Sequence, residues 1–183
     1  MGVSLSFLAI KGAAPADIHR ALGVTDTGVA SPEDAYPIPS VRGAALPDGW
    51  YVVLLDDVLH PLIKSRAILK RLSRGCEVIA CQIEEHDMYS GCFGLRDGEL
   101  AWSVVHNSNE DRDHLNVTGE PPAALAEIET RLRKEQARHQ PGAAGVDYIF
   151  EIPLELAAAC CGYRHAVSTP EGEPAFTILA ESG

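Results

Sequence analysis

The chain lacks any apolar run close to the ~20 residues that a membrane-spanning helix needs. Its first twelve residues, MGVSLSFLAIKG, are apolar but have no basic leader. Their alternation is more typical of a strand than of a signal peptide. We therefore expect a cytoplasmic protein that does not contact membranes. The triplet Asn116-Val117-Thr118 matches the glycosylation pattern, but without a secretion signal the match carries no weight.

Paired cysteine motifs are also missing. The five cysteines form no CxxC pair and no spacing typical of zinc ligands. Their neighbours are mostly apolar, so small buried thiols in a reducing compartment explain the pattern, and no cofactor is expected. The cysteines are Cys76, Cys81, Cys92, Cys160 and Cys161.

Basic residues are scarce relative to acidic ones. The 15 Lys and Arg residues stand against 26 Asp and Glu residues, which gives a net charge of −11. Such a surface repels phosphate backbones and anionic membranes, so nucleic-acid binding is disfavoured. A basic protein partner would fit this charge, and so would a surface that serves solubility alone.

The GxSxG, HExxH, P-loop, GxGxxG and EF-hand patterns are absent as well. At 183 residues the chain has the length of one domain, 1–183, and can bury a core without metals or disulfides. Strand and helix signals are interspersed along it. This arrangement predicts an α+β fold, with a mixed or mainly antiparallel sheet and about four helices packed against it.

Apolar runs and turn residues predict the positions of the main elements. Residues 50–55 are apolar throughout, as in a strand that is covered on both faces. Proline near a start and glycine near an end mark several helices. Strands are expected at 3–10 and 50–55, and helices at 15–23, 65–74, 121–138 and 153–162.

Two segments show no regular pattern. Residues 24–48 are predicted to form the longest loop, because three prolines fall between positions 32 and 39. The tail 164–183 is expected to be loose unless residues 174–180 add a terminal strand.

The clearest local signal is Asp97-Gly98 between two alternating segments, which predicts a central β-hairpin with a two-residue turn. In that register the numbers of opposite residues add up to 195. Phe93 then faces Trp102, and Tyr89 faces His106, on one side of the hairpin. Gly91 and Gly94 invite bulges that would break this register.

Continuing the alternation toward the start of the hairpin adds two carboxylates to the same side. The cluster then consists of Glu85, Asp87, Tyr89 and His106, at the rim of an apolar sheet surface. A carboxylate beside a histidine can orient a general base, and two carboxylates with an imidazole can hold a divalent metal of unknown identity. The structural alternative is a solvated strand end, which four consecutive ionisable residues at 84–87 often mark.

Two other groups of polar residues carry weaker signals. Asp56, Asp57 and His60 follow the strand 50–55 and could be ligands, although Asp is common in strand-to-helix turns anyway. Five basic residues on and beside the helix 65–74 could bind an acidic partner or a phosphate. The alternative is an ordinary solvent-exposed side of a helix, which is usually charged. The five basic residues are Lys64, Arg66, Lys70, Arg71 and Arg74.

Two functions remain compatible with these observations. The first is a small acidic protein that binds a basic protein, as an inhibitor or immunity-like neutraliser does, with electrostatic attraction speeding association. The second is a hydrolase-type enzyme, or a protein that binds a small ligand or metal, with the rim cluster as its site. Charge and the missing catalytic motifs favour the first. The sequence carries no signal for an oligomeric state.

Overall fold

The strands and helices follow the apolar pattern of the chain. A computed structural model describes residues 2–32, 35–138, 147–167 and 174–182, which contain nine strands and five helices. The strands are β1 (Ser4–Lys11), β2 (Val24–Ala30), β3 (Val41–Ala45), β4 (Trp50–Leu55), β5 (Glu77–Glu84), β6 (Tyr89–Arg96), β7 (Glu99–Asn107), β8 (Asn116–Gly119) and β9 (Thr177–Glu181). The helices are α1 (Pro15–Leu22), α2 (Pro61–Lys64), α3 (Arg66–Leu72), α4 (Ala124–Arg138) and α5 (Glu151–Cys161).

The nine strands form one sheet in the order β2, β9, β3, β4, β1, β5, β6, β7, β8. Every neighbouring pair is antiparallel, so the predicted α+β class with a mainly antiparallel sheet is confirmed. Two details differ from the prediction. The middle strand is β1, whereas the β6–β7 hairpin lies toward the β8 edge. The described residues contain five helices instead of about four, because Pro61 starts the additional single-turn helix α2.

Helices cover both faces of the sheet. Phe7 of β1 packs in the core that α4 and α5 cover, and its neighbour Leu8 packs in the core under α1, α2 and α3. We call these two sides the α5 face and the α3 face. All six residues of β4 are buried, as its apolar run predicts. Burying a Leu or Phe side chain contributes ~1.5–3 kcal/mol, so the two cores are the main source of stability.

Local signals set the ends of two helices. Gly23 ends α1 with a φ of 74°, a left-handed conformation that glycine adopts without strain. Ser65 starts α3, because its hydroxyl accepts the N–H of Ile68 at 3.3 Å. In the described ranges, none of the helices is both long enough and apolar enough to cross a membrane.

The region 24–48 differs most from its prediction as a loop. It contains β2 and β3, and the three prolines fall between these strands. In the tail 164–183 the structure has the terminal strand that was the alternative to a loose segment: it contains β9, which is hydrogen bonded between β2 and β3. Six of the seven residues of β2 are exposed, so this strand has no apolar pattern and depends on its pairing with β9.

The five cysteines are free thiols. Cys81, Cys92 and Cys161 are buried, in agreement with their apolar neighbours. Burial raises the pKa of Cys160 and Cys161 to about 11. Both are therefore protonated, and poor nucleophiles, near neutral pH.

A β-bulge divides the β6–β7 hairpin into two registers. Next to the turn at Asp97 and Gly98, Leu95 lies opposite Leu100, so the residue numbers add up to 195. Beyond the bulge Gly94 lies opposite Trp102, and the sum is 196 from there back to Tyr89 at the start of β6. The extra residue is Ala101 of β7, which has no partner in β6.

The bulge places the Trp102 ring over the backbone of Gly94. A Cβ atom added at Gly94 would lie 2.2 Å from Cε2 of that ring. We expect Gly94→Ala to lower the free energy of unfolding by about 1–3 kcal/mol, because the buried ring has little room to move. Urea denaturation measures this difference. In a Trp102→Leu background the same change should cost much less, and an equal cost in both backgrounds would contradict the predicted contact.

Candidate functional site

The structure separates Tyr89 from His106. His106 is fully buried on the α5 face, with its ring centroid 6.4 Å from that of Phe150. Tyr89 is half-buried on the α3 face, where its hydroxyl donates to Oε1 of Gln82 at 3.1 Å. The predicted Tyr89/His106 pair is wrong, because the bulge moves β7 by one residue and so turns His106 to the other face.

The two predicted carboxylates lie in the exposed turn between β5 and β6. Oε2 of Glu85 accepts the N–H of Val3 at 2.8 Å. The main-chain carbonyl of Asp87 accepts a hydrogen bond from Ser108 Oγ at 3.2 Å, and its carboxylate has no hydrogen bond within the described ranges. Glu85, Asp87, Tyr89 and His106 therefore do not form one cluster. The hypothesis of an enzyme or ligand-binding site at the rim depended on that cluster.

Both ring nitrogens of His106 face acceptors. Nδ1 lies 2.8 Å from the carbonyl oxygen of His114, to which it donates. Nε2 lies 3.3 Å from Oδ2 of Asp147, as an ion pair without the alignment of a good hydrogen bond. Because the ring meets an acceptor on each side, the doubly protonated imidazolium fits this environment best.

Asp147 also holds the start of α5. Its Oδ1 accepts the N–H groups of Ile149 at 3.0 Å and of Phe150 at 3.2 Å. Both donors lie in the turn that immediately precedes α5. The carboxylate thus joins the turn before α5 to β7. The sequence prediction missed Asp147, because it lies far from His106 along the chain and follows a Gly-rich connector.

The pair shifts the pKa of both partners toward the charged forms. Burial alone would lower the pKa of His106, but Asp147 and the His114 carbonyl raise it above its ordinary value. Burial would similarly raise the pKa of Asp147, yet His106 and the N–H of Phe150 lower it. With no solvent-exposed surface and both nitrogens engaged, the His106 ring is placed to support the fold, since a general base needs reach to a substrate.

A second histidine, His60, contacts a serine that is also hydrogen bonded to a carboxylate. Ser40 Oγ donates to Oδ1 of Asp56 at 3.0 Å and lies 3.2 Å from Nε2 of His60. His60 Nδ1 accepts the N–H of Leu62, so the proton of the neutral ring lies on Nε2 and points at Ser40. A catalytic base accepts the proton of its nucleophile, whereas this histidine presents a proton to the serine. In the described part of the chain, no group of three or more His, Cys, Asp or Glu residues could hold a metal ion.

Exposed acidic residues collect at one end of the sheet. Three loops meet there: 56–60 after β4, 85–88 between β5 and β6, and 108–115 between β7 and β8. In the sheet, β4 is followed by β1, β5, β6, β7 and β8, so five strand spacings separate β4 from β8. At the usual strand spacing the three loops therefore extend over ~24 Å. We call this surface the acidic edge. It comprises Asp56, Asp57, Glu85, Asp87, Glu110, Asp111 and Asp113.

Hydrogen bonds fix the three loops relative to the sheet and to one another. Nε2 of Gln82 in β5 donates to the carbonyl of Val58 at 2.8 Å. Ser108 bonds to the β5–β6 turn twice, through its hydroxyl to Asp87 and through its N–H to the carbonyl of Met88 at 3.2 Å. The carboxylates are therefore presented on a defined surface rather than on independent loops.

Replacing His106 tests the buried pair. We expect His106→Gln to lower the free energy of unfolding by roughly 3 kcal/mol, because it leaves the Asp147 carboxylate half-buried without a cation. Urea denaturation at pH 6 measures the loss. The matched control is His86→Gln, which removes an exposed histidine paired with Glu84 and should cost less than about 0.5 kcal/mol.

The pH dependence follows from the two shifts. Stabilisation from His106 is fully present below its ordinary pKa of 6.5 and is lost as the pH rises through its raised value. Stabilisation from Asp147 is present above its ordinary pKa of 3.8 and is lost as the pH falls through its lowered value. The difference in the free energy of unfolding between wild type and His106→Gln should therefore be largest between pH 3.8 and pH 6.5. It should shrink as the pH rises through the raised pKa of His106. A difference that stays constant to pH 9 would contradict the assignment.

No family model matches this chain, and comparison with curated proteins and with solved structures gives no match either.

Proposed function

We propose that this protein acts by binding a basic partner protein through the acidic edge, in an inhibitory or immunity-like role. The observation that carries the proposal is the concentration of seven exposed carboxylates on three loops at one end of the sheet. Arg112 is the only Lys or Arg residue in those loops. A field of one sign attracts a partner of the other sign and raises the association rate.

The dimensions of the acidic edge suit a protein partner. Its length of ~24 Å is of the scale of a surface that contributes ~800 Å² to a standard interface. The hydrogen bonds from Gln82 and Ser108 reduce the ordering that binding would require. Like charges held close together repel, so an arrangement of this kind costs some stability unless a cationic surface offsets it.

Asp87 and Asp113 are the best positions for a test of the acidic edge. Both are exposed, and neither carboxylate has a hydrogen bond in the described ranges, so replacing them removes no hydrogen bond from the fold. The matched control is Asp48→Lys/Glu120→Lys. It changes the net charge equally, but at the opposite end of the same sheet, where β4 begins and β8 ends.

We expect wild type and the control to capture the same basic protein from an extract of the native host, as identified by mass spectrometry. Asp87→Lys/Asp113→Lys should lower its association rate constant about tenfold at low ionic strength, measured by surface plasmon resonance. Added salt should weaken the wild-type interaction. Equal capture by both double variants, or an acidic partner, would refute the proposal.

A further inference from the structure

A groove lies on the α3 face between the α2–α3 segment and the β6–β7 hairpin. Its volume is about 500 Å³, within the range of about 300–1,000 Å³ typical of small-molecule sites. Apolar side chains form most of its surface: Phe93 and Leu95 in the floor, Leu69 in one wall and Leu100 at the rim. We call it the α3 groove.

The walls of the α3 groove are fixed at the hairpin end. Ser73, at the end of α3, accepts two hydrogen bonds from the hairpin turn. Its carbonyl accepts the N–H of Asp97 at 2.8 Å, and its hydroxyl accepts the N–H of Gly98 at 3.0 Å. The separation of helix and hairpin is thus set by two hydrogen bonds to Ser73, as expected for a preformed site.

The floor of the α3 groove is mainly apolar and suits a polar ligand poorly. Its polar side chain is Gln82, and both ends of that amide have partners. Nε2 donates to the Val58 carbonyl, and Oε1 accepts the Tyr89 hydroxyl. Leu100 is 55% exposed at the rim. An apolar ligand body that covers Leu100 and the floor would therefore gain free energy without leaving buried polar groups unsatisfied.

Cations lie on the helical side of the α3 groove. Lys64 and Arg66 are exposed at the junction of α2 and α3, and neither side chain has an ion pair or hydrogen bond within the described ranges. Lys70, nearer the hairpin, is paired with Glu99 at 3.4 Å. Two unpaired cations beside an apolar floor stand out in a chain with a net charge of −11.

We propose that the α3 groove binds a small amphiphilic anion, with its carboxylate at Lys64 and Arg66 and its apolar body over Phe93 and Leu95. Charge complementarity selects the anion, and the apolar floor selects the hydrophobic body. The volume fits a small molecule rather than a protein segment. The α3 groove shares no residue with the acidic edge. The proposal for the groove can therefore be tested independently of the proposal that the acidic edge binds a basic protein.

Isothermal titration with sodium dodecanoate, kept below its micelle concentration, tests this site. We expect saturable binding of one dodecanoate per chain, no binding of acetate, and much weaker binding of dodecyltrimethylammonium. Lys64→Glu/Arg66→Glu should lower the affinity for dodecanoate about tenfold or more, because attraction at the head group becomes repulsion.

Two further variants separate the groove from a general effect of charge. Arg74→Glu/Lys134→Glu changes the net charge equally at exposed positions outside the groove, and it should bind dodecanoate as wild type does. Leu100→Gln should weaken binding with an unchanged circular dichroism spectrum, because Leu100 is half exposed. The proposal is overturned if dodecanoate binding is absent or unsaturable, if dodecyltrimethylammonium binds equally well, or if Lys64→Glu/Arg66→Glu binds like wild type.

Discussion

The bulge beside Gly94 determines which side chains of the hairpin face each layer of helices. One extra residue in β7 turns Trp102 and His106 toward α4 and α5, while Phe93 and Leu95 stay on the side of α3. Because side chains alternate along a strand, an unbroken register would move His106 to the side of α3. The buried ion pair with Asp147 depends on this single irregularity.

Charge is segregated in this protein by distance and by burial. The acidic edge gathers carboxylates on loops at one end of the sheet, whereas Lys64 and Arg66 lie beside an apolar groove on one of its faces. The fully buried His106 is matched by Asp147, so its charge inside the fold is compensated. A negative net charge therefore coexists with a local site for anions, and the total charge alone describes neither surface.

Those parts of the fold that have local causes are predictable from the sequence. β4 is apolar throughout, Gly23 ends α1 and Ser65 caps α3, and none of these signals needs information from elsewhere. β2 has no such signal, because its residues are exposed and its partner β9 lies near the other end of the chain. The predicted rim cluster failed for a related reason. Gly91 and Gly94 signal an irregularity in the hairpin, but no local signal in the sequence shows that the extra residue is Ala101 of β7, beside the Gly94–Trp102 pair.

The position of β9 has a consequence for the order in which the sheet is completed. β9 separates β2 from β3, so β2 has no direct partner in the rest of the sheet. The Thr27 hydroxyl, for example, donates to the carbonyl of Ile178, 151 positions later. On the ribosome, β2 emerges early and must wait for residues 177–181 before it can pair. Closure of this edge is thus a late, high-contact-order step, during which the exposed edge of β3 is open to other strands.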